Sequence, residues 1–106
     1  MPRALSLRSR TRIRDRIASS PDDLGAQLAN VMLQYCIPAV AIAELVEVTP
    51  DTIYRWMYTG GCTNTNVRVF VRSIERIARA HPDVFPLKGS VDDRTLTLLS
   101  VFAEHA

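Results

Sequence analysis

Residues 39–60 read AVAIAELVEVTPDTIYRWMYTG, and the way this stretch breaks into two pieces decides the fold. Thr49-Pro50-Asp51 is a compact helix-start signal. A threonine caps, a proline takes the first helical position where its missing N–H costs nothing, and an acid sits in the first turn. The helix it opens runs over 50–58 and stops at Gly60-Gly61. Upstream, Pro38 opens a short helix over 38–46 whose buried side is Ala41, Ile42, Leu45 and Val46. Two short helices with roughly three residues between them have the spacing of a helix-turn-helix unit. A steep crossing of such helices needs a small residue on the first, supplied by Ala43, and an apolar inner residue on the second, supplied by Ile53. Leu45 and Val48 are expected to fill the corner, and Trp56 to close the core from the far end.

Elsewhere in the chain, helical periodicity dominates. Ser20-Pro21-Asp22-Asp23 starts a helix carrying Leu24, Leu28, Val31 and Tyr35 on one face. It ends near Cys36 because Pro38 disfavours helical geometry at Ile37. After the polar loop CTNTN at 62–66, Thr65 or Asn66 caps VRVFVRSIERIARA. There Val67, Phe70, Val71, Ile74, Ile77 and Ala78 share a face, and Arg68, Arg72, Arg76 and Arg79 lie largely opposite. Ser90-Val91-Asp92-Asp93 opens a last helix to about His105. Its apolar set of Leu96, Leu98, Leu99, Val101 and Phe102 is broader than one core face needs. The expectation is an all-α domain of about five helices over 20–106, with the helix-turn-helix unit at 38–60.

Charge divides the chain unevenly. Residues 1–20 hold six arginines against Asp15, a balance of +5; since the whole chain sums to +2, the remainder carries −3. Residues 1–19 therefore read as a basic arm, flexible or at most partly helical, of the kind that suits polyanions such as nucleic-acid phosphates, or as a solubilising tail. No apolar run approaches the roughly 20 residues that span a bilayer, and no secretory apolar region follows the first charges. Cys36 and Cys62 lack partners at metal-ligand spacing, and are expected as reduced thiols in a cytoplasmic protein. His81 and His105 fall near helix C-termini, where the dipole favours positive charge. No catalytic set, metal site, cofactor motif or small-molecule site is evident. Cys62, after Gly60-Gly61, is the one candidate for an activated thiol, and it has no evident base.

With Ala43, Thr49, Ile53 and Trp56 at the pattern's positions, residues 39–60 resemble the helix-turn-helix of the Cro/CI-type (lambda-repressor-like) DNA-binding domains. They are also similar to excisionase- and resolvase-type regulators. The resemblance covers about a fifth of the chain, or about two fifths with IERIARA at 74–80. Two positions depart from it. Glu47 stands where the family has a turn glycine with positive φ, and Ala39 stands where a polar side chain often meets a phosphate.

The resemblance implies a sequence-specific, double-stranded-DNA-binding transcriptional regulator such as a phage or bacterial repressor. It would act as a homodimer, with helix 91–105 the natural contact. The second helix would lie in the major groove, with Thr49, Pro50, Asp51 and Arg55 toward DNA and Tyr54 and Tyr58 at the flank, Tyr58 as a phosphate donor. Arg55 suits the two acceptors of guanine. Asp51 suits cytosine N4, or serves its own helix start. Thr63, Asn64, Asn66 and Arg68 suit a phosphate, or form an ordinary capped loop. Arg8, Arg10, Arg12 and Arg14 would follow the minor groove or backbone. The competing expectation is a protein-interaction module that uses the helix-turn-helix only as a fold element, favoured by the acidic main body and the missing glycine.

Overall fold

The computed structural model describes residues 7–19 and 22–105, and these are all-helical. The helices are α1 (Leu7–Ser19), α2 (Leu24–Tyr35), α3 (Ala39–Val46), α4 (Pro50–Thr59), α5 (Thr65–Ala80) and α6 (Val91–Glu104). Helix α2 is the hub. It packs on α1, α4 and α5, while α3 packs on α4 and α6. Its sequence explains this role: Gly25, Ala26 and Ala29 let neighbours approach closely, while Leu28, Val31 and Met32 fill the space between them.

The first correction concerns the basic arm. Residues 7–19 form a helix docked on α2 and α4. Ile13 is fully buried and Ile17 packs beside it against the core, one helical turn apart. A short arginine-rich helix is marginal alone; burying Ile13, worth about 1.5–3 kcal/mol, supplies what propensity does not. Residues 1–6 of the expected arm lie outside the described residues.

The start of α2 also differs from expectation. Ser20 and Pro21 lie outside the described residues, and the cap is Asp23, whose carboxylate accepts from the Ala26 amide at 2.9 Å. For α5, Asn64 is the cap in place of Thr65 or Asn66. Its side-chain oxygen accepts from the Asn66 and Val67 amides at 2.8 and 3.1 Å. Helix α6 opens with a reciprocal capping box between Ser90 and Asp93, as its sequence indicated.

The α3–α4 unit forms as the spacing predicts. Pro38 precedes α3, Thr49 caps α4, and Ala43, Ile42 and Ile53 are buried between them. Glu47, in the turn between them, takes a left-handed conformation that glycine adopts most easily, at φ 60° and ψ 47°. Leu45 and Val48 are partly buried at the corner. Trp56 is also only half-buried. The deepest residue at that end of α4 is Met57, one turn from Ile53 and fully buried. Helix α4 ends at Gly60, whose φ of 77° with ψ of −151° is a backbone state open essentially to glycine alone.

Helix α6 uses most of its broad apolar set inside the monomer. Leu98 and Val101 are buried, and Phe102 stacks on Phe70 of α5 with ring centroids 5.2 Å apart. Leu96 alone of that set is well exposed, at 65%. Beyond α5, Phe85 and Leu87 fold back under α2: the Leu87 amide donates to the Tyr35 carbonyl at 2.9 Å, and Tyr35 meets Phe85 edge-on. His81 and His105 follow the ends of α5 and α6 and meet Nε2 to Nε2 at 2.9 Å, which ties the two termini together.

Candidate nucleic-acid interface

Helix α4 turns Ile53 and Met57 inward, so its opposite side faces solvent. Asp51 and Arg55 are exposed on that side, one turn apart, and Thr49 and Pro50 are exposed at the start of the helix. Thr49 is chiefly a cap. Its hydroxyl oxygen accepts from the Thr52 amide at 3.3 Å and shares a hydrogen bond with the Thr52 hydroxyl at 2.9 Å. Asp51 sits in the first turn, where a carboxylate favours the helix dipole. Arg55 stands one turn further on, its guanidinium reaching into solvent from a rigid helical base.

Tyr54 and Tyr58 flank this exposed side and are half-buried. The reason is α1. The Arg12 guanidinium lies over the Tyr58 ring, 5.4 Å from its centroid, a cation–π contact joining the basic helix to α4. Arg8, Arg10, Arg12 and Arg14 are all exposed along α1. They therefore stand at fixed positions beside α4 in place of trailing as a tail, and of the four it is Arg12 that reaches a flank residue of α4 directly.

The other end of the expected surface is less open to an anion. Thr63, Asn66 and Arg68 are exposed, but the Asn64 side chain already occupies the Asn66 and Val67 amides that a phosphate at this helix start would use. Nearby Cys62 is buried. Burial pushes its thiol up from the ordinary value; a hydrogen bond from the Asn64 backbone opposes this in part, Asp23 adds to the rise, and Arg68 opposes it least. That direction is opposite to an activated thiol. Among the described residues, no group of three His, Cys, Asp or Glu side chains is placed to hold a metal ion. No helix among them is long and apolar enough to cross a membrane.

Sequence reasoning missed the placement of α1. The available signal was Ile13 and Ile17 at helical spacing inside the arginine run. It also missed Arg94, which bridges α6 to the end of α2 through its Nη1, donating to the Cys36 carbonyl at 3.1 Å. No local pattern marks that contact. No family model, curated protein or solved structure matches this chain.

Proposed function

We propose that this chain is a sequence-specific, double-stranded-DNA-binding transcriptional regulator that lays α4 in the major groove. The observation that carries the reading is Arg55 exposed on the second helix of a helix-turn-helix unit, with the arginines of α1 fixed alongside through the Arg12–Tyr58 contact. Arg55 reads a guanine edge, and Asp51 holds the helix start or accepts from a cytosine. The α1 arginines supply sequence-independent attraction to phosphates. The chain acts as a binding protein, not an enzyme. Two copies bind a two-fold site, with the exposed Leu96 edge of α6 as their contact.

One observation favours the competing reading. Glu44, Glu47 and Asp51 are all exposed on the same unit as Arg55. An acidic helix-turn-helix surface repels phosphates and suits a basic protein partner instead.

Selection from a mixed-sequence duplex library at two salt concentrations, with wild type beside Arg55→Ala, tests the proposal. DNA reading predicts an enriched motif that Arg55→Ala loses, at a cost of about 1–3 kcal/mol, while salt-dependent background binding persists. Weak, sequence-blind binding in wild type rejects it in favour of a protein partner.

A further inference from the structure

Between α1, the α2–α3 corner and the start of α6 lies a cavity of about 150 Å³. Its lining combines two chemistries. Met32, Leu33 and Ile37 give it an apolar part, while three arginines, Arg10, Arg14 and Arg94, also line it. No carboxylate is among the described residues that line it. Arg94 is partly buried and held in place, since its Nε donates to the Ser90 carbonyl at 3.4 Å and its Nη1 to the Cys36 carbonyl at 3.1 Å. The beginning of α3 also borders the cavity at Pro38 and Ala39, and no side chain caps that helix start.

We propose that this cavity is a binding site for a small amphipathic organic anion: a single ring or branched aliphatic body carrying one carboxylate or phosphate. Size sets the body, because a cavity of roughly 150 Å³ has room for a benzene-sized molecule. Charge sets the head, because guanidinium groups bind carboxylate and phosphate oxygens in pairs. The apolar part distinguishes such a ligand from a bare inorganic ion or a backbone phosphate of DNA, neither of which has anything to place on Met32, Leu33 and Ile37. The inference rests on the cavity alone and stands whether or not α4 reads DNA.

The test is a nuclear magnetic resonance titration of the full chain with benzoate, with benzyl alcohol and inorganic phosphate as parallel arms. A ligand of this size is expected to bind with a Kd of about 1 mM. Saturable shifts should centre on Met32, Leu33, Ile37 and Arg94, with benzyl alcohol and phosphate each about tenfold weaker. Arg10 and Arg14 are exposed, so the double variant Arg10→Gln/Arg14→Gln should keep its melting temperature and lose about tenfold in benzoate affinity. Three results overturn the proposal: no saturable shift in this region, phosphate binding as tightly as benzoate, or unchanged affinity in the double variant. Phosphate matching benzoate would assign the three arginines to a simple anion or polyanion backbone instead.

Discussion

Cys36 and Glu47 hold the same left-handed backbone conformation, at φ 57° and ψ 42° for the one and φ 60° and ψ 47° for the other. Each ends a helix in the same way. The amide of the following residue, Ile37 or Val48, reaches back to the Met32 or Ala43 carbonyl at 3.0 Å, and that apolar residue packs into or against the core. This is the bonding that usually carries glycine at the left-handed position.

An L-residue there is strained by about 1–2 kcal/mol, whereas glycine gives back roughly half of that through a freer unfolded chain. Both side chains are exposed, so no packing is lost with them. Glu47→Gly and Cys36→Gly are each expected to raise stability by about 0.5–1 kcal/mol, read as a higher urea midpoint at unchanged slope. Glu44→Gly, inside α3, should do the reverse by about 1 kcal/mol. Lowered midpoints in both corner variants would show that these corners are not strained.

The docking of α1 makes a separate prediction. Ile13 is 0% exposed, so Ile13→Ala should cost about 2–5 kcal/mol in urea unfolding. A freely trailing arm would show no cost. Truncation of residues 1–19 should destabilise the remainder by a similar or larger amount.

The contrast between α1 and α4 shows what the sequence made legible. The two helices of the α3–α4 unit announce themselves locally through Pro38, Thr49, Pro50 and Gly60, so their bounds could be read within a residue or so. The positive φ at Glu47 was not legible, because a glutamate at a glycine position points to a differently shaped turn, yet Glu47 takes that conformation all the same. Helix α1 has no start signal within its described residues and only Ile13 and Ile17 as an apolar pair. Its helicity comes from what it packs on. In the loop before α5, Asn64, Thr65 and Asn66 are all competent caps, and only the placed Asn64 side chain decides among them. The cavity depends on Arg94 meeting Cys36 across 58 positions of chain, which no window of sequence contains.

The Arg12–Tyr58 contact is exposed enough to give a modest coupling. A double-mutant cycle over Arg12→Ala and Tyr58→Leu should return about 0.5–1 kcal/mol in unfolding free energy. If α1 also meets DNA, as proposed, Arg12→Ala should weaken binding evenly across sequences and reduce the salt slope by about one. A coupling near zero would mean that α1 is held by Ile13 and its neighbours alone.

The Cys62 thiol is held above its ordinary value by burial, so the folded state keeps a proton that the unfolded chain gives up. Its contribution is fully present below the unfolded thiol range of about 8.5 and is lost as pH rises through the folded value. Stability should therefore fall as pH rises above the ordinary thiol value, more steeply in wild type than in Cys62→Ala. In the folded protein at neutral pH, a thiol reagent should modify exposed Cys36 much faster than buried Cys62. Equal rates would contradict the burial of Cys62.

Leu96 and Leu98 are two positions apart on α6 and have opposite surroundings, 65% against 0% exposed. That difference separates assembly from folding. If two copies meet through α6, Leu96→Asp should move the protein to monomer in sedimentation at micromolar concentration while changing unfolding free energy within about 0.5 kcal/mol, as an exposed substitution does. Leu98→Ala should instead cost about 2–5 kcal/mol and leave the association surface in place. Val69, exposed at 57% on α5, supplies the control: Val69→Asp should leave association unaltered if the contact is confined to α6. A wild-type protein that sediments as a monomer across the same range removes α6 as the dimer contact, and a two-fold DNA site would then have to be bound by independent copies.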